Sequence, residues 1–225
     1  IAQVLDQVLK KVDNLGEVII IDDGSSDRTS LISREYEARN PLVHYHLQPR
    51  NMGKTEALKE GFRRSTGDIV IVQDADLEYD PGEINDVIAP ILEGKADVVL
   101  GSRFLVRRAS RSVYFRHYMG NKFITFVSNV LTDLNLTDVE TCYKAFRGDI
   151  IRDMTITSSG FGFEVEVVAK VAKLKCRVYE VPISYYGRSY EEGKKIGTKD
   201  GMMALYYILK YNIFTSKKAS YKSLS

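Results

Sequence analysis

The chain has 225 residues, 44% of them hydrophobic, and a formal net charge of +2, which suits one sizeable globular domain and says little about partners. Its two cysteines make neither a disulfide framework nor a zinc-ligand spacing, so we predict a reducing compartment. No apolar run approaches the roughly 20 residues that a transmembrane helix needs, and no signal peptide is visible.

Hydrophobic periodicity predicts that helices and strands alternate through the first half of the chain. Predicted helices run over 2–12, from the DGSS turn to about Ala38, over 51–65, and from Pro81 to Gly94. Short apolar runs predict strands over 17–22, 42–48, 68–73 and 97–102. This alternation indicates an α/β fold with an open, mostly parallel, twisted sheet flanked by helices. Ligands in such folds bind at the carboxyl ends of the strands.

The pattern is less regular after Ser102. Further predicted elements are helices over 112–131, 164–174 and 201–214 and strands over 143–147 and 176–186. Pro182 indicates that the strand over 176–186 lies at an edge or carries a bulge. Residues 187–199 are predicted to form a basic loop. Because the sequence opens within a helical pattern, we expect that a first strand is missing from it.

Charge is distributed unevenly along the chain. Residues 98–132 contain six basic and no acidic side chains, and from Gly193 onward Asp200 is the only acid against seven lysines. Such basic blocks attract phosphates on nucleotides, lipids or nucleic acids. Basic residues beside the aromatic helix over 112–131 also suit an anionic lipid surface, although core packing is an alternative use for the aromatic side chains.

Polar motifs follow the predicted strands at their carboxyl ends: DDGS at 22–25, DAD at 74–76, GSR at 101–103 and the loop around Arg188. Taken alone, DDGS is as typical of a helix-capping turn as of a ligand site. The alternative for DAD is a turn with solvated charges, and the three further motifs at strand ends argue against it. Carboxylates suit Mg²⁺ or Mn²⁺, and Mg²⁺ commonly takes only one or two of them and completes its shell with phosphates and water. Four motifs at one predicted edge therefore favour a divalent cation that carries a diphosphate.

The stretches VIIIDDGSSDRT, NMGKTEALKEGFRRSTGDIVIVQDADLEYDP and VVLGSRF resemble the nucleotide-sugar core of family-2 glycosyltransferases with the Rossmann-like GT-A fold. NLTDVETCYKAFR and YEVPISYYGRSYEEGKKI narrow the resemblance to the dolichol-phosphate mannose synthase and dolichol-phosphate glucosyltransferase branch. It covers about residues 1–200, but the family's usual first strand with its Pro-x-Tyr-Asn-Glu motif is absent. The resemblance implies a nucleotide-sugar-binding half over 1–102, a smaller acceptor-binding α/β half of the same domain over 103–200, and a C-terminal amphipathic helix and basic tail over 201–225.

The resemblance also implies roles for individual residues on the donor side. Asp23, with its neighbour Asp22, matches the acid that contacts the nucleotide base or ribose. Asp74 and Asp76, on either side of Ala75, match the DxD pair. Asp76 is implied as the more direct metal ligand, and Asp74 as a ligand of the nucleotide or the metal.

Further residues complete the implied site. Glu78 matches an additional metal ligand, and Arg103 a residue near the donor diphosphate or the acceptor phosphate. Arg188, with Ser189, matches a loop arginine that closes on phosphates. Asp76, Arg103 and Arg188 are thus the implied catalytic residues, with Mg²⁺ or Mn²⁺ as the cofactor.

The expected function is metal-dependent, inverting transfer of a hexosyl group from a nucleotide diphosphate sugar, of the GDP-mannose or UDP-glucose type, to a polyprenyl phosphate. An acceptor phosphate is already ionised near neutral pH. A general base, if one is used, is Asp138 or Glu140, whose alternative role is to orient the acceptor-side loop.

We expect the enzyme to lie peripherally on the cytoplasmic face of a membrane. We expect no nucleic-acid partner, since the acidic crevice repels a polyanion. Two alternatives remain open: transfer to a sugar hydroxyl in surface polysaccharide synthesis, and a non-catalytic module that binds a nucleotide sugar.

Overall fold

The computed structural model describes residues 1–105, 114–187 and 198–224. The strands of these residues are β1 (Val18–Asp22), β2 (Val43–Leu47), β3 (Ile69–Ile71), β4 (Val98–Ser102), β5 (Lys144–Arg147) and β6 (Val178–Pro182). The α-helices are α1 (Ala2–Lys11), α2 (Thr29–Arg39), α3 (Lys54–Arg64), α4 (Ile84–Leu92), α5 (Phe115–Thr132), α6 (Gly148–Asp153), α7 (Phe163–Leu174) and α8 (Thr198–Leu209).

Short helical turns extend or follow these elements. A 3₁₀ turn at Pro81–Glu83 leads into α4, as the predicted helix start at Pro81 requires, and a π-helical turn at Lys210–Phe214 extends α8. Two more 3₁₀ turns, Lys218–Ser220 and Lys222–Leu224, lie near the C-terminus. The sequence analysis did not predict these two turns or α6, because segments of three to six residues are too short to show helical periodicity.

The strands form two sheets. β1 and β2 pair in parallel from Val18↔Val43 to Asp22↔Leu47. The second sheet has the order β3-β5-β4-β6, in which β4 and β6 are parallel and β5 runs antiparallel to both of its neighbours. β6 lies at the edge of this sheet, as Pro182 indicated. A strand from the second half of the chain thus lies between two strands of the first half.

An apolar slot lies between the two sheets. A cavity of about 630 Å³ is lined by Ile19 and Ile21 of β1, by Ile69 and Ile71 of β3, and by residues of α3 and α4. Among the described residues, β1 pairs only with β2 and β3 only with β5. The sequence predicts a single open sheet. In the structure this sheet is split in two, and the break lies between β1, which ends at Asp22, and β3, which leads to Asp74. The expected first strand stays a prediction.

The main core lies where β4, β5 and α7 meet. All five residues of β4 are buried, as expected for a strand covered on both faces. Nine consecutive residues of α7, from Phe163 to Val171, are buried as well. Phe163 stacks on Phe62 of α3 with ring centroids 5.6 Å apart. This packing fixes the last turn of α3 against the first turn of α7.

None of the described helices is both long and apolar enough to cross a membrane.

Candidate functional site

The DDGS turn at the end of β1 connects that strand to β2 and to α3. Asp22 is buried, and its two carboxylate oxygens accept hydrogen bonds from the Ser25 backbone N–H at 2.7 Å and the Tyr45 hydroxyl at 2.9 Å. Burial raises the pKa of the Asp22 carboxyl, but these hydrogen bonds outweigh it and lower that pKa below its usual value. Asp22 thus holds the turn, and its contact with a nucleotide stays a prediction.

Asp23 organises the start of α3. Its carboxylate accepts backbone hydrogen bonds from Met52 and Gly53, both at 2.7 Å. Gly53, with φ of +90°, occupies a conformation that favours glycine, and α3 therefore begins at Lys54 rather than at residue 51 as predicted. A Cβ on Gly24 would lie 2.9 Å from the Asn51 nitrogen, so only glycine lets the two loops approach this closely.

The DAD motif forms a tight turn after β3. Asp74 and Asp76 are half-buried, and Ala75 between them is exposed. An oxygen of Asp76 accepts from the Glu78 backbone N–H at 3.2 Å, and Leu77 between them adopts a left-handed conformation with φ of +59°. Left-handed backbone is costly for leucine, so this turn is strained where the predicted metal ligands lie.

Lys54 joins the DAD turn to α7. Its ammonium lies 3.1 Å from Asp74 and 3.0 Å from Glu164 at the start of α7. Burial disfavours its charge, but Glu164 and Asp74 raise the pKa of Lys54 well above its usual value. The sequence alone assigns no role to Glu164 or to Lys54. The position of Lys54 one residue after Gly53, at a predicted carboxyl-end loop, was the available signal.

Arg103 follows β4 and is paired with Asp138. Its Nε and Nη2 lie 2.6 and 2.7 Å from the two oxygens of this fully buried carboxylate. Burial disfavours the charge of Asp138, but the guanidinium holds the pKa of that carboxyl below its usual value. Arg103 also lies over the Tyr185 ring, 5.1 Å from its centroid. Asp138 therefore positions Arg103 and is not placed as a free base.

The motifs meet through a chain of contacts. Asp23 binds the loop that precedes Lys54, and Lys54 binds Asp74. On the other side of the turn, Glu78 accepts from the Tyr185 hydroxyl at 3.1 Å, and Tyr185 contacts Arg103. The carboxyl-end motifs of β1, β3 and β4 therefore lie at one edge, as predicted. Arg188 and Ser189 lie outside the described residues.

Glu140 has an unusual environment. Its Oε1 is buried without a hydrogen-bond partner among the described residues, and so is Oε2 of Glu164. Burial and the nearby Glu164 carboxylate raise the pKa of Glu140 to about 7. A carboxyl with a pKa near neutrality can accept or release a proton at physiological pH, which suits the predicted role of a base.

The donor set fits a hard divalent cation. Within the described ranges, no three His, Cys, Asp or Glu side chains converge in a way that could hold a metal ion. Asp74 and Asp76 nevertheless place two half-buried carboxylates on one turn. Mg²⁺ needs no more than one or two protein carboxylates when a diphosphate supplies further oxygens.

Known proteins are similar to this chain in sequence and in fold. The family model described as Glycosyl transferase family 2 matches residues 1–155. An undecaprenyl-phosphate mannosyltransferase of Micrococcus luteus is 29% identical over 191 residues, which cover 80% of this chain and 76% of that protein. A dolichol-phosphate mannosyltransferase of Pyrococcus furiosus is 26% identical over 200 residues, which cover 86% of this chain but 56% of that protein. The chain thus spans only part of each relative.

Among solved structures, this chain is similar to glucosyl-3-phosphoglycerate synthase of Mycobacterium tuberculosis. The crystal structure of that protein with Mn²⁺, UDP-glucose and phosphoglyceric acid matches with a TM-score of 0.68 at 18% identity, over 94% of this chain and 74% of that one. At this identity the likeness shows the fold alone. The predicted GT-A fold is confirmed.

Proposed function

We propose, because this chain belongs to glycosyl transferase family 2, that it transfers a hexosyl group from a nucleotide diphosphate sugar to a polyprenyl phosphate. That it is a glycosyltransferase follows from the family. The names of the Micrococcus and Pyrococcus relatives support the choice of acceptor, because they specify undecaprenyl phosphate and dolichol phosphate. The main structural support for the proposal is that the acidic turn after β3 and Arg103 lie at the same edge. Tyr185 lies between them and contacts both Glu78 of that turn and Arg103.

On the donor side, the turn after β3 would hold Mg²⁺ or Mn²⁺ through Asp76 and Asp74, with Glu78 as a further ligand. A bound cation would offset the negative charge of the leaving diphosphate. Asp23 and the α3 loop that it orders would bind the base or ribose, with Asp22 fixing the turn. Lys54 neutralises Asp74 and fixes that carboxylate relative to α7, so we assign Lys54 a positioning role.

At the reacting centre, an oxygen of the acceptor phosphate forms a bond to the anomeric carbon as the bond from that carbon to the diphosphate breaks. The displacement inverts the configuration, and the nucleoside diphosphate leaves with the electron pair. Arg103, oriented by Asp138, would stabilise negative charge on phosphate oxygens, and Arg188 with Ser189 would add to this. The acceptor phosphate is already ionised near pH 7, so this route needs no strong base.

The two halves of the domain would bind different substrates. Residues 1–102 would bind the donor, residues 103–200 the acceptor, and residues 201–225 would form the helix and tail beside them. We place the enzyme peripherally on the cytoplasmic face of a membrane. Two cysteines without a disulfide, Cys142 and Cys176, agree with a reducing compartment.

A transfer assay tests this proposal. Labelled GDP-mannose and labelled UDP-glucose are supplied separately with Mn²⁺, detergent and a short polyprenyl phosphate, and the label in the organic phase is counted. We expect lipid-linked label from one donor and none from the other. Turnover of neither donor would contradict the proposed donors and favour a non-catalytic module.

A second function is transfer to a sugar hydroxyl of a polysaccharide, which the environment of Glu140 favours. A hydroxyl must lose its proton during attack, and a carboxyl with a pKa of about 7 can accept it. In that case the assay releases labelled sugar without labelling the lipid, and Glu140→Gln abolishes this turnover. With a polyprenyl phosphate as acceptor, Glu140→Gln should retain most of the activity.

A further inference from the structure

An apolar stripe runs along the solvent side of α5. Its residues follow one another at intervals of three or four positions, which places them on one helical face. They are Phe115, Met119, Phe123, Phe126 and Val130, and they are between 50 and 72% exposed. The opposite face of α5 already packs inward through Ile124, Thr125 and Ser128. The stripe is therefore surplus to what the core requires.

A second stripe lies on α8 and the π-helical turn that extends it. Its members are between 44 and 81% exposed: Met202, Met203, Tyr206, Leu209, Ile213 and Phe214. The inner face of the same helix is buried through Tyr207, Ile208 and Tyr211. α8 packs directly against α5. We call these two stripes together the α5–α8 face.

A face of this size is unusual for a monomer in water. Monomeric proteins rarely expose large contiguous apolar patches, and those that do use them to bind a partner or a membrane. Aromatic, methionine and leucine side chains exposed along one face of a helix are typical of insertion into the interface of a bilayer.

The charges around the face favour an anionic lipid surface over a second copy of this chain. No acidic residue occurs from 98 to 132, and Asp200 is the only acid from 193 onward. Exposed cations lie on or beside the same helices, at Arg116, Lys217 and Lys218. A second copy of this chain on a two-fold axis would bring these like charges together. An anionic lipid surface would instead attract them.

The α5–α8 face is also tied directly to the candidate site. Asn121, within α5, donates to an oxygen of Asp138 at 3.2 Å, and Lys122 beside it donates to the Thr137 carbonyl at 3.3 Å. Asp138 is the carboxylate that orients Arg103. A surface that binds through α5 therefore lies one helix away from the arginine assigned to the acceptor phosphate.

We propose that the α5–α8 face docks onto an anionic lipid bilayer, with its apolar side chains in the interface and the flanking cations against lipid headgroups. The inference that this docking presents a lipid acceptor to Arg103 rests on the proposed function. The docking itself does not, and it can be measured without any glycosyl transfer.

Vesicle flotation tests the proposal with the intact chain. The vesicles contain phosphatidylcholine alone or phosphatidylcholine mixed with phosphatidylglycerol. One double variant carries Phe123→Ser and Phe126→Ser on α5, and a second carries Met202→Ser and Tyr206→Ser on α8. Leu31→Ser is the matched control, since Leu31 is an exposed apolar residue on α2, outside the face.

We expect the wild-type chain to float with the anionic vesicles. Each double variant should reduce its partition by about tenfold or more, because two apolar side chains no longer enter the interface. Leu31→Ser should bind like the wild type. Melting temperatures should stay unchanged in all variants, since the replaced side chains are exposed in the folded chain.

Equal binding of the double variants and the wild type would overturn the assignment of this face, and equal binding to neutral and anionic vesicles would overturn the role of the cations. A dimer in sedimentation that both double variants convert to a monomer, with no flotation of the wild type, would assign the face to a second copy instead. Flotation that depends on the face, in a protein that transfers no sugar to polyprenyl phosphate, would leave the docking intact and contradict only the proposed function.

Discussion

The pair of Arg103 and Asp138 shows how one buried contact links stability to the site. Asp138 is fully buried, and 15% of the Arg103 side chain is exposed. Removal of one partner leaves an uncompensated charge in the interior, which typically costs about 3–5 kcal/mol. We expect Asp138→Ala to lower the free energy of unfolding by about this amount in urea denaturation.

Glu93→Ala is a suitable control, because Glu93 pairs with Lys95 at the surface, where both side chains are more than half exposed. A pair of that kind contributes about 0–1 kcal/mol. If Asp138→Ala proves no more harmful than Glu93→Ala, Arg103 has another anchor and its positioning by Asp138 is wrong.

Glu140 gives the chain a specific dependence of stability on pH. Its pKa is raised from 4.5 to about 7 in the folded chain, so between these values the folded state holds a proton that the unfolded state releases. The contribution of Glu140 to the free energy of unfolding therefore falls as the pH rises from about 4.5 to about 7. Above that range this contribution no longer changes with pH. Glu140→Gln removes the titration.

We therefore expect Glu140→Gln to melt at a higher temperature than the wild type at pH 8, with a smaller difference at pH 5. Thermal denaturation of both proteins across this range measures the effect. Parallel profiles would show that Glu140 titrates normally, and its candidacy as a base would lose its physical support.

Helix α3 lines the slot between β1 and β3, so substitutions in this helix test how tightly the slot is packed. Gly61 lies within this helix and lines the slot, and a Cβ placed on it would lie 3.6 Å from Ile21, an ordinary contact distance. Alanine is favoured over glycine inside a helix by about 0.5–1 kcal/mol. We expect Gly61→Ala to raise the free energy of unfolding by about this amount in urea denaturation.

Gly53→Ala, at the start of the same helix, provides the contrast. With φ of +90°, Gly53 adopts a backbone conformation that alanine disfavours, so this variant should be less stable than the wild type. A loss of stability in Gly61→Ala as well would mean that the slot is more tightly filled than the structure shows.

The elements that the sequence predicted are those with a strong local signal. Short apolar runs placed each strand of the described residues, and turn residues placed the loops after β1 and β3. The start of α3 was predicted three residues too early, because the backbone N–H groups of Met52 and Gly53 bind Asp23 rather than continue a helix. This contact joins residues about thirty positions apart, which periodicity within a short window does not register.

Over the whole molecule, the sequence located the acidic and basic motifs better than it assigned their partners. It placed Asp74, Asp76 and Arg103 at one edge because parallel strands end together. It did not pair Lys54 with Glu164, or Glu78 with Tyr185, since these contacts depend on how α7 and the segment after β6 pack. Asp138 is the same kind of case: a candidate base by sequence, it is an anchor of Arg103 in the fold.

We propose that the turn after β3 binds a divalent cation together with a nucleoside diphosphate. Titration calorimetry of GDP and UDP, with and without Mn²⁺, measures this for the wild type and for Asp76→Asn. We predict that the wild type binds one of the nucleotides only when Mn²⁺ is present, and that Asp76→Asn loses this binding while its melting temperature stays unchanged. Binding that is equally strong without Mn²⁺, or in Asp76→Asn, would contradict the metal site.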